Sequence, residues 1–408
     1  MILSVPATSM VVLLAEHAAD AAAAARRLFE PNELLDPAAH DGGAEGSGVE
    51  AAPPASRLDP LGSRLAEGRI TVVAGALAHA KARAALLRAA REHHALPMVI
   101  VLEPPTSASA AEGHDHVDAA LDPAARQASL RTKLQQEGFR QVVLLSPADA
   151  VAEVRRAPLR CDRRDDAGPF DIIGDVHGCA YELRALLTRL GYAPDPAGVW
   201  GHPQRRRALF LGDLVDRGPD IPGVLRLAMD MVDAGRALCV PGNHEHKLAR
   251  ALEGRSLKRT NGLLQSLEQL DTTNPAFRAR VAAFIDGLVT HYVLDGGRLV
   301  VAHAGLKAAM HNRATGAVRA FALYGATTGE TDDAGLPVRL PWALDYRGAA
   351  AVVYGHTPCR EPVWLHNTLC IHTGCVFGGA LSALRWPERE LVQVPAARQW
   401  YAPARPIA

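Results

Sequence analysis

The chain has 408 residues, with 44 Lys+Arg against 44 Asp+Glu, 48% hydrophobic and 22% charged residues. This balance is that of a globular protein with two or three domains, and net neutrality removes the electrostatic signature of a dedicated nucleic-acid binder while leaving room for local basic patches. The apolar run Met10–Ala15 is far short of the roughly 20 residues that span a bilayer, so no membrane helix is expected. None of the first 25 residues is Lys or Arg, and the six cysteines contain no CxxC pair, so reduced thiols and a cytoplasmic location are expected. Cys370 and Cys375 lie close in sequence, but a thiolate zinc site needs a second close pair.

In chain order, MVVLL (10–14) predicts a strand, 18–29 a helix, 69–75 a strand, 78–93 a helix, 97–102 a strand, 122–137 a helix and 140–145 a strand. Apolar runs alternating with helical patterns predict an α/β unit with buried parallel strands. The segments 36–60 and 103–118, rich in Ala, Gly, Pro and Ser, are expected as mobile loops. The polar stretch 161–169 is the expected boundary. A second α/β unit follows, with strands in FDIIG (170–174), RALFLG (207–212), ALCVPG (237–242), RLVVA (298–302) and AAVVYG (350–355). Ligands of open α/β sheets collect beyond the carboxyl ends of strands.

Those ends carry metal-ligand residue types. GDVHG sets Asp175 and His177 two residues apart, on one side of an extended segment. GDLVDRG adds Asp213, Asp216 and Arg217, GNHE adds Asn243 and His244, and VAHAG and VYGHT add His303 and His356. Two Asp, one Asn and three His are mixed O and N donors that suit manganese, iron or zinc better than calcium. Six ligands exceed the need of one ion with an open position and suffice for two divalent ions sharing a carboxylate. Such a pair lowers the pKa of a bridging water and clamps both oxygens of an in-line displacement at phosphorus.

GDVHG, GDLVDRG, GNHE, HAG and GHT, in this order over 170–395, resemble the calcineurin-like metallophosphoesterase superfamily on its phosphoprotein-phosphatase branch. The resemblance implies a two-metal site on a β-sandwich flanked by helices. It implies that Asp175 and His177 bind the first metal, that Asp213 bridges, and that Asn243, His303 and His356 bind the second, with one of these histidines available to the first. By the same resemblance His244 is a general acid, Asp216 orients it, and Arg217 and Asn243 hold phosphate oxygens. Arg347, in LDYRG, is a further phosphate-clamp candidate, with a surface ion pair as the alternative. His372 stands where relatives usually carry Asp; behind a ligand histidine it would take over that residue's hydrogen bond as a neutral imidazole, or weaken the site.

YRGAAAVVYGHTP, HTGCVFGGALSALRWPE and GNHEHKLARALEGRSLKRTNGL resemble the phosphatase module of bacterial polynucleotide kinase-phosphatases, with PrpE-like and symmetrical diadenosine tetraphosphatase groups as neighbours. In that resemblance a P-loop kinase precedes the module. Here no glycine lies between Ala15 and Ala25, Ala21 and Ala22 stand where Lys and Ser are expected, and Ala74 replaces a carboxylate. The expected organisation is therefore a degenerate, inactive P-loop-type α/β domain over 1–165 and a metallophosphoesterase domain over 166–400, with no carboxyl-terminal ligase module. The expected function is hydrolysis of phosphate monoesters by metal-activated water, on nucleic-acid 2′ or 3′ ends or nucleotides, with two divalent ions, manganese first. A separate kinase or ligase partner is compatible with this reading. The alternatives are a Ser/Thr protein phosphatase, a symmetrical dinucleoside tetraphosphatase and a non-catalytic metal- or nucleotide-binding scaffold. The runs 204–207 and 255–259 are candidate phosphate contacts or solvated charge, and three short helices over 244–290 are expected to shape the substrate mouth.

Overall fold

The protein is described by a computed structural model covering residues 2–35, 55–75, 80–103, 122–146, 149, 151, 153–255, 261–332, 337–404 and 406–407. The loops expected at 36–60 and 103–118 fall mostly outside these residues, as does 256–259 of the second basic run. The chain divides into two compact units, Met1–Leu159 with Asn312–Thr315, and Arg160–His311 with Gly316–Ala408.

The first unit holds a five-stranded parallel sheet in the order Leu34–Leu35, Thr71–Ala74, Ser9–Leu14, Leu96–Leu102, Gln141–Leu145. Val11 and Leu13 pack with Ala21, Ala25 and Leu28 of the helix Ala18–Leu28, whereas Met10 and Val12 pack on the other face with Leu86, Leu87 and Leu134. Burial on both faces explains why these strands read as unbroken apolar runs. The strand order reverses beside Ser9–Leu14, the place where open α/β sheets bind ligands. Here that strand runs through Ala15, Glu16 and His17 straight into the helix; His17 caps it with extended backbone and no side-chain bond, and Ala21 is buried.

The second unit is a sandwich of two sheets. One has the order Ala237–Cys239, Arg207–Phe210, Phe170–Ile173, Ala380–Trp386, Glu390–Pro395; the other Trp364–Leu365, Thr368–Cys370, Ala351–Tyr354, Leu299–Ala302, His291–Leu294, Asp162–Arg163. The two-residue period of a strand sends alternate side chains to opposite faces. Ile172, Leu209, Val301, Val353 and Leu384 meet between the sheets. Ile173, Ala208 and Phe210 turn outward onto the helices Ala180–Leu190 and Ile221–Asp233, and Val300, Ala302 and Val352 turn outward onto Phe321 and Trp342. This is the expected β-sandwich flanked by helices.

Two sequence expectations change. The 161–169 stretch supplies the edge strand Asp162–Arg163, which pairs with His291–Leu294. In the basic run 204–207, Arg206 is buried and bonded to Asp171 at 3.0 Å and Glu388 at 2.7 Å, and Arg207 is ion-paired with Asp166, so these two arginines hold the fold together. All six cysteines are free, and Cys375 faces Cys179 and Glu182 rather than Cys370.

Candidate functional site

Six strands deliver the candidate residues from their carboxyl ends. Phe170–Ile173 leads to Asp175 and His177, Arg207–Phe210 to Asp213, and Ala237–Cys239 to Asn243 and His244, all three strands being parallel. In the facing sheet, the parallel strands Leu299–Ala302, Ala351–Tyr354 and Thr368–Cys370 lead to His303, His356 and His372. The loops are tightly bent: His177, Asp213, Asp216, Arg217 and His356 all have positive φ, between 44° and 72°. Each such residue stores strain of order 1–3 kcal/mol that the surroundings must over-determine.

Glu245 does much of this. Its carboxylate accepts from the backbone N–H of Gly242 at 2.7 Å, Asp213 at 2.8 Å and Leu214 at 2.7 Å, so GNHE grips GDLVDRG. The backbone N–H of His177 donates to the Asp213 carbonyl at 2.8 Å, joining GDVHG to the same knot. Two glycines are required by close approach: a Cβ at Gly242 would lie 2.1 Å from Asp213 Oδ1, and one at Gly355 would lie 1.9 Å from Asp175 Oδ1.

The side chains converge on Asp213. Its Oδ2 lies 3.6 Å from His177 Nε2 on one side and 3.4 Å from His303 Nε2 on the other, the position of a shared carboxylate. His177 Nδ1–H donates to the Val215 carbonyl at 2.8 Å, and His303 Nδ1–H to the Leu211 carbonyl at 2.9 Å. These bonds assign the tautomers and turn both Nε2 lone pairs inward. His303 Nε2 then sits 3.1 Å from Asn243 Oδ1 and 3.0 Å from His356 Nδ1, and the Asp175 carboxylate accepts the His356 backbone N–H at 3.0 Å. Metal-sized groups result: Asp175, His177 and His372; His177, Asp213 and His244; Asp213, His303 and His356. Burial, reinforced by the Asp213 charge, pushes the Asp175 carboxyl well above its ordinary value. Burial, with Arg217 alongside, holds His177 well below its own. Neutral imidazoles and mutually repelling carboxylates are what a pair of divalent cations would relieve, and Asp175 Oδ1 is a buried atom with no partner. The donor set thus fits two divalent ions.

Beside these groups, His244 Nδ1 is hydrogen-bonded to Asp216 Oδ2, and Asp216 in turn accepts from Ser266 Oγ–H. Arg217 donates to His177 Nε2 at 2.7 Å and to His244 Nε2 at 3.0 Å, which places its guanidinium at the mouth of the cluster. Of the predicted residues, the structure brings together Asp175, His177, Asp213, Asp216, Arg217, Asn243, His244, His303, His356 and His372. Two expectations fail. Arg347 is exposed and spends its guanidinium on the carbonyls of Leu344 and Tyr346 in its own turn. His372 does not stand behind a candidate ligand histidine; its Nδ1 lies 4.0 Å from Asp175 Oδ1, within the cluster of Asp175, His177 and His372.

Sequence reasoning missed Ser266, Glu245 and Arg339. Ser266 comes from the helix Asn261–Asp271, and Arg339 donates to the His356 carbonyl at 3.4 Å and to Thr357. Of these only Glu245, inside GNHE, carried a sequence signal. The three expected helices are Asn243–Leu252, Asn261–Asp271 and Pro275–Gly287, and their Leu248, Leu263, Leu270 and Val281 join the main core. Along the first of them Asn243, Lys247 and Arg250 share one face, and His246 is hydrogen-bonded to Tyr324 at 2.8 Å. Arg250, Arg319 and Arg255 are the basic neighbours of this His–Tyr pair, with Glu253 the acidic one, and among the described residues Arg250 and Arg319 are not ion-paired.

Comparison with known proteins places this geometry. Residues 168–360 match the family described as calcineurin-like phosphoesterase. A protein of Anoxybacillus flavithermus named bis(5'-nucleosyl)-tetraphosphatase PrpE (asymmetrical) is 43% identical over 242 residues, covering 57% of this chain and 96% of the relative. A Geobacillus thermodenitrificans protein of the same name is 45% identical over 232 residues, covering 56% and 94%. A solved protein serine/threonine phosphatase of Saccharomyces cerevisiae aligns at 14% identity and a TM-score of 0.39 over 58% of this chain and 82% of its own. Among the described residues no helix is long and apolar enough to cross a membrane. The chain belongs to the calcineurin-like phosphoesterase family and is a metal-dependent hydrolase of phosphate esters.

Proposed function

We propose that the second unit hydrolyses nucleotide polyphosphates, dinucleoside tetraphosphates foremost, and does so with two divalent ions. Asp175, His177 and the shared Asp213 would hold the first ion, and Asp213, Asn243, His303 and His356 the second. The bound pair would supply a nucleophilic water and charge neutralisation at phosphorus. Arg217 binds the equatorial phosphate oxygens in a bidentate fork, leaving the two imidazole nitrogens on which it now rests. His244 delivers a proton from Nε2 to the leaving oxygen where that oxygen is a poor leaving group such as an alkoxide, while Asp216 keeps Nδ1 protonated and stabilises the imidazolium. Ser266 holds the far oxygen of Asp216, so the acid is fixed from three elements. The first unit, whose strand-to-helix turn carries no glycine, is assigned a structural role without kinase chemistry.

The observation that carries the substrate reading is the cationic face leading away from the cluster. Arg250 stands about 10 Å along the helix axis from Asn243, at 1.5 Å per residue. With Lys247, Arg319 and the His246–Tyr324 pair it offers sites for phosphate groups beyond the one being cleaved, which a simple monoester would leave unused. The curated relatives' names point the same way. The test compares EDTA-sensitive turnover of diadenosine tetraphosphate, a 3′-phosphorylated RNA oligonucleotide and a phosphoserine peptide with manganese present. Tetraphosphate is expected to give the highest kcat/KM, with AMP and ATP as products. Replacing Arg250 and Arg319 with Ala should raise its KM about tenfold, the loss of roughly 1.4 kcal/mol of phosphate binding. Preference for the oligonucleotide would replace this reading with a nucleic-acid end phosphatase.

A further inference from the structure

We infer that His372 is itself a ligand of the first cation, and that this gives the first position a two-imidazole set which favours zinc(II) or iron(II) over manganese(II). The inference rests on the two-ion reading above and specifies the ion it takes.

Asp175 Oδ1 and His372 Nδ1 are both buried, and neither has a hydrogen-bond partner. They face each other at 4.0 Å, too far for a hydrogen bond and the right span for a cation between them. Metal–oxygen and metal–nitrogen bonds are each about 2.0–2.2 Å, so two ligands on opposite sides of one ion stand up to about 4.4 Å apart. His177 completes the group, its ring centroid 5.7 Å from that of His372. Two orphaned polar atoms in one buried pocket cost about 1–3 kcal/mol each unless something binds between them.

The consequence is a change in donor character. With His372 in place the first position has two nitrogens, Asp175 and the shared Asp213. A carboxylate in place of His372 would leave one nitrogen and three carboxylates. Oxygen-rich sets suit magnesium and manganese, while imidazole shifts affinity towards iron and zinc along the Irving–Williams order.

The test is metal occupancy of the full chain, not turnover. Protein stripped with EDTA is dialysed against equal low concentrations of manganese and zinc, and bound ions per chain are counted by mass spectrometry. In parallel, cobalt(II) titration follows the d–d absorption of each position. Wild-type protein should bind two ions with zinc in excess over manganese. His372→Ala should weaken one of the two cobalt sites at least tenfold and alter its spectrum, leaving the other unchanged. His372→Asp, which restores a ligand and guards against a folding defect, should keep two ions but move the zinc-to-manganese ratio about tenfold towards manganese. Two cobalt sites of unchanged affinity and spectrum in His372→Ala would overturn the ligand assignment. An unchanged zinc-to-manganese ratio in His372→Asp would overturn the selectivity. Fewer than one ion per wild-type chain would instead remove the two-ion reading itself.

Discussion

Asp216→Asn isolates the proton-transfer part of the proposed mechanism. In the structure Ser266 Oγ–H donates to Asp216 Oδ1, so the amide oxygen of Asn keeps that place and its NH2 group faces His244 Nδ1. An NH2 donor there forces the imidazole proton onto Nε2 and removes the charge-assisted bond that stabilises the imidazolium. Such bonds contribute about 1.5–3 kcal/mol, a factor of about 10–100 in rate at 1.36 kcal/mol per decade. The loss is confined to substrates that need a proton on the leaving oxygen. A ribose or alkyl alkoxide needs it, whereas a nucleotide phosphate, with a second pKa near 6, departs largely unaided. The assay is therefore a pair of kcat/KM ratios at fixed, verified metal content: an alkyl nucleotide monoester should fall about 10–100-fold, and diadenosine tetraphosphate and p-nitrophenyl phosphate less than about threefold. An equal fall for all three would show that Asp216 holds the site together rather than serving His244, and no fall in any would refute the acid role.

Other perturbations have distinct signatures. Glu245→Gln turns an NH2 donor towards either the N–H groups of Gly242 and Asp213 or that of Leu214, whichever oxygen the amide keeps, and should lower the stability of metal-loaded protein by about 3 kcal/mol in urea unfolding; a change under 1 kcal/mol would mean the motif knot stands without it. Metal removal should destabilise the second unit by about 2.7 kcal/mol per site relative to free ion at 100 times Kd, read as a fall in its Tm with EDTA. His291 is buried, its Nε2 lacks a partner, and burial, with His311 nearby, lowers its pKa to about 3. Because the folded value lies below the unfolded 6.5, its stability contribution is complete above pH 6.5 and lost as pH falls towards 3. That amounts to about 2 kcal/mol between pH 8 and pH 5, and His291→Gln should flatten this slope in unfolding titrations.

The candidate ligand residues were legible because each sits at a strand's carboxyl end inside a short glycine-bearing motif, where local spacing constrains the chemistry. The apolar runs were legible for the same local reason, since burial on both faces writes itself into consecutive residues. What escaped depends on distant partners. Ser266 reaches Asp216 from a helix 50 residues away, and nothing in its own neighbourhood announces it. Arg206 looked like surface charge until Asp171, in the neighbouring strand, and Glu388 claimed it. Arg347 lay in a promising motif, yet its turn satisfies it locally. His372 was read as support because an imidazole in place of a carboxylate suggests a weaker role; only the convergence of two sheets puts it opposite Asp175.

The topology of the sandwich also fixes when the site comes into being. Phe170–Ile173, which launches the earliest ligands, is a central strand whose antiparallel neighbour is Ala380–Trp386, near the carboxyl end of the unit. During synthesis Asp175 and His177 emerge long before His356 and His372, and the strand that seats them lacks one edge partner until the last strands are made. Long-range pairing of this kind is slow relative to local helix formation. A growing chain therefore exposes half-built ligand pairs and an unpaired strand edge, and ion capture belongs to the finished polypeptide. Truncation ahead of Ala380 should leave a second unit that neither folds nor retains metal, even though every one of its candidate ligands has been synthesised.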